Sequence, residues 1–120
     1  MRQQVAKVIY DSARTPEVAG VRGGTFERRS IGFLAESIRV EMMLEDDAGD
    51  FYHCAGQVLD RAGREPCAGV RVSLGIRGEA TATTDDYGEF MLAGQLTGET
   101  QVFILHGDAA DVVCCVPSSY

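Results

Sequence analysis

An all-β protein, folded as an antiparallel β-sandwich of about seven to nine strands, is predicted from two features of the sequence: apolar and polar residues alternate with period two, and turn residues recur between the alternating runs. In chain order, Val5 to Tyr10 reads as a β-branched strand, although Gln3, Gln4, Ala6 and Lys7 would also suit the first turns of a short helix. Pro16, Gly20, Gly23 and Gly24 make Thr15 to Thr25 a long surface connection that lets the first strand cross to a distant position. In the next strand Ile38, Val40, Met42 and Leu44 fall on one side and Arg39, Glu41 and Glu45 on the other, so one face is buried.

Turn chemistry divides the remainder. Strands are expected at Tyr52 to Leu59 and at Val70 to Leu74, with the Gly and Pro of Asp60-Arg61-Ala62-Gly63-Arg64-Glu65-Pro66 turning the chain between them. Further strands are expected at Ala80 to Thr84, Glu89 to Leu92, Thr100 to Leu105 and Asp111 to Val116. They are separated by Asp85-Asp86-Tyr87-Gly88, Thr97-Gly98 and Gly107-Asp108.

The 120 residues are 45% hydrophobic and 24% charged, which suits one globular domain over residues 1–120. A chain of this size buries roughly two-thirds of its unfolded surface, so its core needs neither metal nor disulfide staples. No apolar run reaches transmembrane length, and membrane insertion is not expected. The net charge of −7 is unevenly spread: residues 78–120 carry seven acidic side chains and no Lys or Arg. Nucleic-acid binders cluster Lys and Arg, whereas here only Arg28 and Arg29 are adjacent, so nucleic-acid binding is not expected. The acidic C-terminal part would steer a basic partner toward itself, although acidic surface also serves solubility alone. No apolar stretch of signal-peptide type follows Met1-Arg2, the four cysteines are too sparse for a secreted disulfide scaffold, and the absence of Asn rules out a glycosylation sequon. A reducing cytoplasm is the default expectation.

Gly56-Gln57-Val58-Leu59-Asp60, Gly63, Pro66, Gly69-Val70-Arg71-Val72-Ser73-Leu74, Thr83-Thr84-Asp85, Gly88-Glu89-Phe90 and Leu96 together form a pattern. With it, the segment from Cys54 to Leu105 resembles the carboxypeptidase regulatory-like domains, small transthyretin-like β-sandwiches, akin to immunoglobulin-like ones, that recur as accessory modules in bacterial proteins. The resemblance implies a family-like core over 52–105, preceded by extension strands within 1–50. It also implies physical tasks: close backbone approach at Gly56, a hairpin shaped by Gly63 and Pro66, a strand start at Gly69, and a tight turn at Thr84-Asp85 with Gly88 whose N–H groups the Asp85 carboxylate accepts. Phe90 then points into the core. The N-terminal part, with Val8-Ile9-Tyr10-Asp11-Ser12-Ala13, Ala19-Gly20-Val21-Arg22-Gly23 and Arg28-Arg29-Ser30-Ile31, looks like the region preceding such a module in bacterial regulatory proteins that accompany sigma factors. The His-x3-Cys-x2-Cys zinc helix of those proteins does not occur in this sequence, so sigma-factor binding is not carried over.

Candidate chemistry is sparse. Cys54, Cys67, Cys114 and Cys115 with His53 and His106 are zinc-ligand types, but no Cys-x2-4-Cys knuckle is present. Alternation makes Cys54 a small core hydrophobe, and neighbours on a strand point to opposite faces, so one of Cys114 and Cys115 is expected in the interior and the other at the surface. Glu45-Asp46-Asp47-Ala48-Gly49-Asp50 departs from the calcium-loop order and reads as a solvated hairpin tip. Asp85 is taken up by its turn, which leaves Asp86 as a surface charge. There is no Gly-x-Ser-x-Gly elbow, phosphate loop or His-Glu-x-x-His. No enzyme activity, metal or cofactor is expected.

The resulting expectation is a non-catalytic accessory or interaction module that binds a bacterial protein partner. Val112, Val113, Cys114, Cys115 and Val116 form the candidate edge for strand addition, against an ordinary paired strand. Self-assembly through that edge into a dimer or filament, and a thiol or metal sensor at Cys114 or Cys115, are the alternatives.

Overall fold

The computed structural model describes residues 2–12, 28–47, 51–75, 80–95, 101–107 and 110–116. The expected connection at Thr15 to Thr25, the end of the acidic run at 48–50, the Thr97-Gly98 turn, Leu96 and Asp108 lie outside them.

The described chain is built from ten strands: β1 (Arg2–Val5), β2 (Lys7–Asp11), β3 (Arg28–Leu34), β4 (Ile38–Asp47), β5 (Phe51–Asp60), β6 (Arg71–Leu74), β7 (Ala80–Thr83), β8 (Glu89–Gln95), β9 (Gln101–His106) and β10 (Ala110–Val116). They form two five-stranded sheets, in the orders β1-β10-β9-β6-β7 and β2-β3-β4-β5-β8. β1 runs parallel to β10, and every other pairing among the described strands is antiparallel. The all-β sandwich is as expected; the count of ten exceeds the expected seven to nine for two reasons. The first segment is split at Ala6 into β1 and β2, and Arg28–Leu34 forms a further strand whose inward Ile31 and Phe33 alternate with Ser30, Gly32 and Leu34. Among the described residues no helix is long and apolar enough to cross a membrane.

The splits show how the sandwich closes. Ala6 is buried and its N–H donates to the Val113 carbonyl at 2.8 Å, after which the chain leaves β10 and joins β3 in the other sheet. β1 and β2 are therefore the two edge strands on one side, joined by one residue. On the other side β7 and β8 are the edges, and Thr84 to Gly88 carries the chain between the sheets.

That second crossing is densely hydrogen-bonded. Thr84 is buried; its hydroxyl donates to the Cys67 carbonyl at 2.7 Å and accepts from the Val70 N–H at 2.9 Å. Asp85 Oδ1 accepts the N–H groups of Tyr87 and Glu89, each at 2.9 Å, so the expected Asp turn is present. Gly88 has φ +75°, and a Cβ there would run into the Val58 carbonyl, so only glycine suits the turn. The Asp60 to Pro66 segment begins as a hairpin, with Leu59 bridging Pro66 and Asp60 N–H donating to Glu65 at 2.8 Å. It does not stay one: β5 and β6 belong to different sheets, so the chain crosses over after folding back.

Ile31, Phe33, Val40, Val58, Val72, Phe103, Leu105 and Cys114 form the centre of the core, contributed by both sheets. At its margin Asp11 is also buried. A shift in register between Val8 and Tyr10 turns its carboxylate toward Arg29, which donates from Nε at 2.9 Å and from Nη2 at 2.6 Å. A paired, two-pronged contact is the form in which a buried carboxylate is tolerated.

Candidate binding surface

Register alone builds the solvent face of the sheet β1-β10-β9-β6-β7. Val112 pairs with Leu105 and Cys114 with Phe103, and all four point inward, so Asp111, Val113 and Cys115 on β10 point outward with Val102, Ile104 and His106 on β9. Following the ladders across the sheet gives one polar row, Gln3, Asp111, His106, Arg71 and Thr83. Beside it lies a second row, Val5, Val113, Ile104, Ser73 and Thr81. Cys115 and Val102 begin a third. Val5 is 74% exposed and Cys115 is exposed, while Val113, Ile104 and Val102 are half-buried among their neighbours. An apolar strip therefore crosses three strands on a face that in most antiparallel sheets is polar.

The polar row meets this strip at a three-residue contact that no sequence motif signals. Ser73 Oγ lies 2.8 Å from His106 Nε2, and Asp111 Oδ1 is 3.8 Å from Nδ1 of the same ring. Ser73 is buried, and it reaches His106 diagonally because Ser73 pairs with Ile104 and Arg71 with His106. The residue types are those of a nucleophile, base and orienting acid, but the setting differs from a nucleophile site. β6 is paired on both sides, by β7 and β9, so its own backbone N–H groups are engaged in the ladders. The Asp111 carboxylate is beyond hydrogen-bond range of the ring and accepts instead from the Gly107 N–H at 3.4 Å. The Ser73–His106 hydrogen bond ties β6 to β9 at the border of the apolar strip, with Asp111 of β10 alongside.

The five residues expected to form a partner edge are divided by the fold. Val112, Cys114 and Val116 are buried, and the side chains of Val113 and Cys115 point outward. β10 is an interior strand from Ala110 to Val113, where β1 covers it; β1 ends there, and Cys114 to Val116 are paired with β9. Sequence reasoning did not identify Val5, Val102 and Ile104 as their companions. The signal was present in Val102-Phe103-Ile104-Leu105 and Val112-Val113, where apolar residues occupy consecutive positions and so must line both faces of a strand.

The cysteines are separated in the same way. Cys54 and Cys114 are buried and Cys115 is exposed, and all four thiols are free. Burial pushes the Cys54 and Cys114 thiols up to about 12, with smaller contributions at Cys114 from Cys115 and Cys54. Cys67 is raised as well, by burial and then by the charge of Asp60. Among the described residues no three His, Cys, Asp or Glu side chains form a group that would hold a metal ion. In comparisons with protein-family models, curated proteins and solved structures, none matches this chain.

Proposed function

We propose that this chain is a non-catalytic β-sandwich accessory module that binds a bacterial protein partner on the solvent face of β1, β10 and β9. The observation that carries the reading is the apolar strip of Val5, Val113, Ile104 and Val102, with Cys115 beside it. Contiguous apolar surface bordered by polar residues, here Gln3, Asp111, His106 and Arg71, is the composition of a protein contact with its rim. The resemblance of Cys54 to Leu105 to carboxypeptidase regulatory-like domains supports an accessory role, because those domains are modules attached to other activities. The committed backbone around Ser73 supports the non-catalytic part.

The test is affinity purification of the tagged full chain from its host, at gentle salt and with reductant, followed by mass spectrometry and light scattering. A stoichiometric partner that is lost when Val113→Glu is introduced is the expected result. Recovery of the chain alone at twice its mass would replace this reading with self-assembly through the same face.

A further inference from the structure

The four edge strands of the sandwich are unequal. β1 and β7 have four residues each, and β2 carries Lys7 and a register shift between Val8 and Tyr10; short length, lysine and bulges are the features that keep an edge from pairing with another chain. β8 has none of them. It runs for seven residues in unbroken register with β5, and between Glu89 and Gln95 it contains no charge and no proline.

The backbone groups that β8 offers follow from its pairing. Val58 N–H donates to the Gly88 carbonyl at 2.8 Å, so that carbonyl faces β5, and by alternation the N–H and C=O groups of Glu89, Met91 and Ala93 face away from β5. Those of Glu89 are already used: Asp85 Oδ1 accepts its N–H at 2.9 Å, and its carbonyl accepts the Asp85 N–H at 3.0 Å. For Met91 and Ala93 no partner on that side occurs among the described residues. The Met91 side chain is 75% exposed, and its row runs inward through Ala55 to Met43, which is also exposed.

We propose that the β8 edge is a second binding site, which accepts an extended segment of another protein as an additional strand across Met91 and Ala93, with a lysine or arginine of that segment meeting Asp86 and Glu89. Charge selects this occupant. Asp86 and Glu89 are exposed at the start of β8, and no Lys or Arg follows residue 77 in the sequence. A second copy paired in parallel would bring these acids together, and paired antiparallel would set them opposite the uncharged end of β8, so neither arrangement neutralises them, whereas a basic segment does. The paired length is about six residues, the usual length of a strand. The site goes beyond the apolar face of the other sheet and is tested without it.

The experiment uses the full chain and a capped six-residue peptide of alternating valine and threonine that ends in two lysines. Amide hydrogen exchange is read residue by residue. The peptide is expected to slow exchange at Met91 and Ala93 by about tenfold, and a peptide ending in two glutamates, or one N-methylated at alternate amides, is expected not to. Asp86→Asn with Glu89→Gln should reduce the protection given by the lysine peptide, in a protein whose fold is unchanged because both positions are exposed. Met91→Lys, also at an exposed position, should abolish it. Protection confined to another edge, equal protection by the glutamate peptide, or no protection at millimolar peptide would each overturn the proposal. Protection of Met91 and Ala93 in the protein alone that grows with its concentration would overturn it in favour of self-pairing. None of these results bears on the Val113 and Ile104 face, so the two claims fail separately.

Discussion

The ring of Phe90 on β8 occupies the space over Gly56 on the neighbouring strand β5, where a Cβ would overlap two of its ring atoms. Both residues lie on the inner face, and Phe90 is buried. The glycine is there to make room for an aromatic side chain, which refines the expectation of a close backbone approach. Gly56→Ala is expected to cost about 1–3 kcal/mol through overpacking. Phe90→Leu in the same chain should recover part of that loss, and urea unfolding of the single and double variants measures the coupling.

Thr84 ties together the crossing between the sheets. Its hydroxyl donates to Cys67 and accepts from Val70 while buried, so Thr84→Val keeps the shape and leaves a backbone carbonyl and an N–H without their partner. A loss of about 1–3 kcal/mol is expected. Faster amide exchange at Val70 would locate the damage; unchanged stability would contradict this role.

Buried Asp11 and half-buried Arg29 form an ion pair at the margin of the core. Asp11→Ala removes this two-pronged, charge-assisted contact and is expected to destabilise by about 1–3 kcal/mol. Asp11→Ala with Arg29→Met should cost less than the sum of the two single substitutions, because both remove the same contact. Thermal unfolding of the native chain and of the single and double variants is the check.

The thiols should react in order of exposure. With Cys54 and Cys114 buried and pushed up to about 12, neither carries thiolate at pH 8, and iodoacetamide should label Cys115 first and Cys67 more slowly. Peptide mass spectrometry after native labelling gives the order directly. Rapid labelling of Cys54 or Cys114 would contradict the inward placement of both.

Asp60 gives a pH dependence whose sign is fixed by its surroundings. The Arg64 N–H donates to its carboxylate at 2.9 Å and, with the neighbouring backbone, holds it below the ordinary aspartate value. A carboxyl depressed in the folded state stabilises above its unfolded pKa, and that contribution is lost as pH falls through the folded one. The advantage of the native chain over Asp60→Asn should therefore be present near neutrality and shrink in acid. Carbon-detected NMR titration of Asp60 should place its midpoint below that of an unstructured aspartate.

Much of the fold was legible because strand alternation is local. Ile38 to Leu44 announces its buried face, and the Asp85 and Gly88 turn announces itself by residue type. The N-terminal half of the pattern was harder to read. β3 is interrupted by Gly32, and the change of sheet at Ala6 depends on a hydrogen bond to Val113, more than a hundred residues away. The binding surface was legible only in part for the same reason. Val113 and Cys115 stand out in the sequence, but their row with Ile104, Val102 and Val5 exists only once the register of three strands is set. Ser73, His106 and Asp111 share no motif spacing, and only the ladders bring them together.

The central claim is that the apolar strip on β1, β10 and β9 is the partner-binding face, and Ile104→Asp tests it most directly. Ile104 is half-buried and points outward from the middle of the strip, so the variant should keep the native circular dichroism at a lowered melting temperature. Its affinity for the co-purifying partner should fall by at least about tenfold, or roughly 1.4 kcal/mol. Native affinity in a folded Ile104→Asp protein would contradict the account.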